Sequence, residues 1–199
     1  MGLRRDTRNN ILNPSDGSEL AVKVKPYTGF YGESFNVMTG VVSASGYYAP
    51  FRKDGLPDDK LVLAGRVEAG GLAGAGLRTI PASLRYYTGG AGSVRGYAYQ
   101  SLGPRDHKDE PLGGRSYQVV NLEARYKITE DVGIVPFLDG GMVYRDELPR
   151  IIGDMSWGTG LGFRYFTPIG PVRLDVGFPL QPIDGDPPVQ IYVSIGQSF

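Results

Sequence analysis

Apolar and polar residues alternate one by one along most of this chain, and a period of two commits a segment to a β-strand with unlike faces. Leu20, Val22 and Val24 fall on one side, with Glu19, Lys23 and Lys25 on the other. Leu61, Leu63 and Val67 oppose Arg66 and Glu68, and Val120, Leu122 and Ala124 alternate with Asn121, Glu123 and Arg125. Ile134, Leu138 and Met142 alternate with Val135, Phe137 and Asp139, and Trp157, Leu161 and Phe163 oppose Gly158, Gly160, Gly162 and Arg164. Near the end, Val172, Leu174 and Val176 oppose Arg173 and Asp175, and Val189, Ile191, Val193 and Ile195 oppose Gln190, Tyr192, Ser194 and Gly196. With segments at residues 3–7, 19–27 and 35–48, this gives about nine strands and an all-β chain. Turns are signalled by Asn13-Pro14-Ser15-Asp16-Gly17, by the polar loop 52–59 and by Thr167-Pro168-Ile169-Gly170.

Two environments fit such strands. In a soluble sandwich the apolar face is buried and the charges meet water. In a transmembrane barrel the apolar face meets lipid, and the charges line the lumen. Composition suits either: 30 Gly, 13 Tyr and 8 Phe in 199 residues, with a mean hydropathy of −0.21. Glycine at this level argues against a helical domain. Lys plus Arg and Asp plus Glu both number 21, so no basic surplus suggests a nucleic-acid partner. There is no cysteine, which excludes disulfides and thiolate metal sites. The sequence holds neither an apolar run of about 18 residues for a membrane helix nor a signal-like apolar stretch near Met1. The chain is therefore expected to start inside a longer protein.

A long segment, residues 70–116, interrupts the strands and contains Gly89-Gly90-Ala91-Gly92-Ser93-Val94-Arg95-Gly96-Tyr97. Loops of this length usually carry function or are disordered. No Gly-Lys-Ser/Thr follows, so this is not a P-loop. His107, the single histidine, lies in the charged run after it. Alone it completes no common zinc set, and it gives a Ser-His-Asp enzyme one base in a loop. No catalytic residue, metal or cofactor is assigned. The last strand ends on Phe199 with no polar tail, as a sandwich strand rarely does. Trp157, Tyr165, Tyr144 and Phe178 suit an aromatic girdle at a membrane interface, although a core would use them too.

Taken together, these motifs resemble the BamA/TamA family of outer-membrane barrels. Val94-Arg95-Gly96-Tyr97 is similar to the family's VRGF/VRGY loop, flanked by Arg85-Tyr86-Tyr87-Thr88-Gly89-Gly90 and Ser101-Leu102-Gly103-Pro104. Arg5-Asp6-Thr7-Arg8-Asn9-Asn10 with the Asn13 to Ser18 turn resembles a mid-barrel strand and its turn. The stretch from Tyr165 to Asp175 resembles the penultimate hairpin. Ile195, Gly196 and Phe199 resemble the C-terminal β-signal read by the assembly machinery.

The resemblance implies a transmembrane antiparallel barrel of the Gram-negative outer membrane. Residues 1–199 would form its C-terminal half, from a barrel of roughly sixteen strands, without the POTRA domains. It implies no covalent chemistry, but insertion or translocation of outer-membrane proteins by lateral strand pairing, in a TamA-like subtype. The implied partners are outer-membrane lipids, unfolded outer-membrane protein or autotransporter clients, and a TamB-like periplasm-spanning protein. The loop arginine, Arg95, would fold into the lumen and meet Glu123 and Asp139. Both acids could instead belong to a general charge ladder with Arg125, Arg164, Arg173 and Asp175. A two-partner-secretion translocator, a passive porin, an outer-membrane lipase and a soluble β-sandwich binding protein are the alternatives. Because nine strands close too narrowly to admit the loop, the expected form is an open sheet with the loop against its concave face.

Overall fold

The computed structural model describes residues 1–53, 56–150, 154–168 and 170–199. Asp54 and Gly55 of the polar loop, and Ile169 of the tight turn after Thr167, lie outside them. The strands are β1 Gly2–Asp6, β2 Gly17–Tyr31, β3 Glu33–Tyr48, β4 Arg52–Lys53, β5 Leu56–Pro57, β6 Leu61–Ala73, β7 Ser116–Lys127, β8 Val132–Tyr144, β9 Ser156–Thr167, β10 Gly170–Pro179 and β11 Gln190–Ile195. Nine of them form one sheet in the order β1-β2-β3-β6-β7-β8-β9-β10-β11, and β4 and β5 make a separate small hairpin. Every pairing in the sheet is antiparallel, between strands consecutive in the chain except β3 and β6, which are separated by the small hairpin. β1 and β11 are the two free edges, so the sheet is open.

The strands run further than alternation indicates. β2 and β3 nearly meet, turning at Gly32 in a left-handed conformation of φ 73°. β6 continues through Gly70 and Gly71, which the sequence reading gave to the loop. Glycine is required there by close approach: a Cβ on Gly70 would lie 2.3 Å from the Tyr117 ring, and one on Gly71 would lie 2.6 Å from the Glu147 carbonyl oxygen. The connection from β6 to β7 is therefore residues 74–115.

The two faces settle the environment. Leu122, Leu161, Phe163, Leu174, Ile191 and Val193 are exposed, Val193 to 71%. Asn121, Glu123, Arg125, Asp139, Arg164, Arg173 and Asp175 are buried on the other face, with Asp139, Arg164 and Asp175 at 0% exposure. Aliphatics outside and charges inside reverse the order of a soluble sandwich and match a barrel wall in lipid. Tyr165 and Phe178 are exposed on the outer face, whereas Tyr144 is buried and does not join a girdle. Gln118 Nε2 donates to Tyr144 Oη at 2.7 Å and to the Arg150 carbonyl at 3.0 Å, which links that phenol to the chain at Arg150.

The concave side is filled from both ends. Loop 74–115 lies in it, organised by bridges between Tyr86 and Gly114, Thr88 and Leu102, and Arg105 and Pro111. From the other end, the turn after β1 folds inward and buries Pro14 and Ser15. Arg125 donates to the Pro14 carbonyl at 3.5 Å, and Gln197 Nε2 donates to Asn13 Oδ1 at 2.9 Å. The space left between Asn13, Arg125, Arg164 and Gln197 is about 10 Å³, room for about one water. The final residues depart from the expected strand. Pairing with β10 stops at Ile195, Gly196 adopts φ 91°, and Phe199 turns inward to pack 6.2 Å from the Tyr47 ring.

Candidate functional site: an arginine clamp in the lumen

The loop tip is built by glycine. Gly89 and Gly90 (φ 109° and 94°) and Gly96 (φ 99°) take conformations that side chains disfavour. Gly90 N–H donates to the Val94 carbonyl at 3.1 Å and closes the tip. This presents Val94, Arg95 and Tyr97 to the wall, and all three are buried. The wall receives them on glycines. A Cβ on Gly158 would lie 1.9 Å from the Arg95 carbonyl oxygen, one on Gly177 would lie 2.7 Å from Gly96 N, and one on Gly141 would lie 2.7 Å from Val94 Cγ2.

Arg95 is fully buried and binds three carboxylates from three strands. Its Nε donates to Asp139 Oδ2 at 2.6 Å and its Nη2 to Asp139 Oδ1 at 3.0 Å, a two-pronged contact with β8. The Arg95 backbone N–H reaches Asp139 Oδ2 as well, at 3.1 Å. Nη1 donates to Glu123 Oε1 on β7 at 2.8 Å and to Asp175 Oδ2 on β10 at 3.1 Å. The guanidinium carbon lies 3.6 Å from the centre of the Phe137 ring, which takes up the other face. Burial alone would lower the Arg95 pKa. The Asp139 hydrogen bond and the charges of Glu123, Asp139 and Asp175 outweigh it and hold the pKa above the ordinary arginine value.

The ladder and the clamp are one network. Arg125 Nε donates to Glu123 Oε2 at 2.8 Å, Arg164 Nη1 donates to Asp175 Oδ1, and Arg173 lies 3.9 Å from Asp175. Glu123 and Asp175 thus sit between the loop arginine and wall arginines. Losing the loop would leave wall charges unmatched in a poorly hydrated space.

The remaining motif residues are placed as follows. Tyr97 Oη lies 3.0 Å from the carbonyl oxygens of Trp157 and Gln181 and accepts from Gln181 N–H at 3.3 Å. Gly96 N–H donates to Tyr192 Oη at 3.1 Å. Ile195 is exposed on the outer face. The Phe199 ring stands 5.3 Å from the Arg125 guanidinium, and its main-chain oxygen accepts from Arg125 Nη2 at 3.2 Å. His107 is exposed, away from the clamp. Sequence reasoning placed Asp175 in the charge ladder but not as a partner of Arg95, and it did not single out Phe137, Tyr192 or the glycine seats. For Asp175 the signal was available, since Arg173 and Asp175 share the inward parity of β10.

An antiparallel wall with lipid-type aliphatics outside, buried charges inside and a loop pinned in its concavity is that of an outer-membrane β-barrel. The chain belongs to the Omp85 superfamily, whose domain matches residues 1–199. It is 35% identical over 123 residues to the outer membrane protein assembly factor BamA of Nitratidesulfovibrio vulgaris, a match covering 60% of this chain and 16% of that protein. The crystal structure of Haemophilus ducreyi BamA lacking POTRA domains 1–3 superposes with a TM-score of 0.72 at 19% identity. That match covers 96% of this chain and 40% of the other, and it is a likeness of fold. The chain therefore spans a minor part of each of these relatives.

Proposed function

We propose that residues 1–199 are the C-terminal portion of a barrel domain that inserts or translocates outer-membrane proteins, acting through lateral strand pairing and without covalent chemistry. The observation that carries this reading is the slightness of the last strand's attachment. β11 is paired to β10 over six residues, whereas β9 and β10 pair over ten, and beyond Gly196, whose N–H still donates to the Pro171 carbonyl at 2.7 Å, the chain turns away from the sheet. A short ladder is a weak seam, where an incoming strand can be added by backbone hydrogen bonding. Arg95, held by Glu123 and Asp139, anchors the loop that braces the wall beside that seam. A TamA-like subtype is preferred from the Gly89 to Tyr97 stretch. Its partners would be membrane lipids, unfolded barrel or autotransporter clients, and a TamB-like periplasmic protein. The filled concavity disfavours a passive pore.

The test is photo-crosslinking in the full-length protein during client assembly. A crosslinker at Val193 on β11 is expected to capture client strands, and one at Val42, equally outward on β3, is expected to capture few. Equal capture at the two positions, or none at Val193, would sink the reading.

Ile195, Gly196 and Phe199 are proposed to serve as the β-signal for this protein's own assembly. Deleting Phe199 is then expected to reduce insertion into the outer membrane several-fold. Loss of the half-buried ring costs the assembled barrel no more than about 1.5–3 kcal/mol. Pulse-chase insertion together with heat-modifiable gel mobility separates the two effects, and normal insertion of the deletion would refute the assignment.

A further inference from the structure

The clamp residues reach β7, β8 and β10 through charge, but a different contact carries the loop to the last strand. Tyr192 lies at the centre of β11, directly opposite Asp175 in the β10–β11 register, and Asp175 is one of the carboxylates on Arg95. The Tyr192 hydroxyl accepts from Gly96 N–H at 3.1 Å and donates to the Tyr97 carbonyl at 2.9 Å. A single phenol therefore satisfies a donor and an acceptor of the loop backbone at the tip of the motif. The approach depends on absent side chains, since a Cβ on Gly96 would meet the Phe178 backbone at 2.7 Å. The other inward polar tie of β11 runs from Ser194 to Arg173 on β10 and does not reach the loop. Ile191, Val193 and Ile195 point outward and are exposed.

We infer that Tyr192 is a positioning residue that latches the last strand to the docked loop, so that β11 leaves β10 only after both phenol hydrogen bonds break. The latch is neutral where the Arg95 contacts with the carboxylates are ionic, and neutral hydrogen bonds exchange with water at a small net cost. The loop thus grips the fixed wall strongly and the movable strand weakly. This inference rests on the reading of β11 as the seam, and its test is chosen to be read without a client.

The experiment is amide hydrogen exchange on the full-length protein in lipid vesicles, comparing the parent, Tyr192→Phe, Arg95→Ala and the double variant. Tyr192→Phe keeps the ring and removes the hydroxyl. Exchange in peptides covering residues 190–195 is expected to quicken roughly 30-fold, the combined factor of the two net hydrogen bonds lost with the hydroxyl, with β7 and β8 peptides unchanged. In the Arg95→Ala background the loop is already released, so Tyr192→Phe is expected to add nothing. Unchanged β11 exchange, or equal acceleration with and without Arg95, would overturn the latch, the second outcome marking a merely structural tyrosine. If β11 quickens as expected while crosslinking to clients at position 193 stays as in the parent, the latch stands and the seam reading fails.

Discussion

Alanine in place of Arg95 is expected to cost the full-length barrel about 3–5 kcal/mol, the usual penalty for breaking a buried pair from one side. The magnitude follows from what remains. Glu123, Asp139 and Asp175 converge on the space the guanidinium leaves, each within 3.1 Å of an Arg95 nitrogen in the intact protein. Asp139→Asn removes one charge of the same set and is expected to cost less, because Glu123 and Asp175 still hold Arg95. A double-mutant cycle on thermal or denaturant unfolding in detergent measures the coupling. Contacting residues in such networks couple by about 0.5–3 kcal/mol, and additive losses would show that the clamp does not act as a unit.

The second large effect requires no change in charge. Gly158→Ala places a methyl group 1.9 Å from the Arg95 carbonyl oxygen, an impossible approach. The loop backbone must lift, and the Arg95 contacts of 2.6–3.1 Å tolerate little lift. A loss of about 1–3 kcal/mol from overpacking is expected, rising toward the Arg95→Ala value if the clamp is released. Gly40→Ala and Gly46→Ala are the matched controls, since a Cβ there meets nothing within 4 Å. They are expected to be neutral or slightly stabilising, because alanine restricts the unfolded chain. Protease nicking of loop 74–115, rapid in Gly158→Ala and slow in both controls, distinguishes a lifted loop from a weakened sheet.

Much of the wall can be read from parity. Along β7, β8 and β10 a strict alternation assigns Glu123, Asp139 and Asp175 to one face, and the pleat alone keeps that assignment. Parity ceases to inform where a residue's surroundings come from elsewhere in the chain. Tyr144 has the spacing of a girdle residue but is buried, its phenol held by Gln118. Gly70 and Gly71 have the composition of a loop, and they extend β6 because Tyr117 and the Glu147 carbonyl occupy the space a side chain would need. Phe199 continues the alternation of its strand in sequence, yet the left-handed turn at Gly196 carries it to the opposite side of the sheet. The loop's position depended on resemblance, since nothing periodic in residues 74–115 says which wall it meets. Tyr192 shows the same limit: its inward parity is legible, but its partner in the loop is not.

The spacing of the clamp along the chain also sets a timetable for assembly. The partners of Arg95 lie 28, 44 and 80 residues downstream, and Tyr192 lies 95 residues beyond Tyr97. Closing the longest of the Arg95 loops rather than the shortest costs only about 1 kcal/mol more in chain entropy. Entropy therefore scarcely ranks these captures; the order in which strands become available does. If the strands add in chain order, Arg95 is engaged first by Glu123, then by Asp139, and acquires its last carboxylate when β10 joins. Until then the loop is held incompletely, and the growing sheet can still admit the rest of its own contents. The final hairpin is thus the step that commits the interior, so kinetic defects in Asp175 variants should fall late in folding, after β7 and β8 have paired.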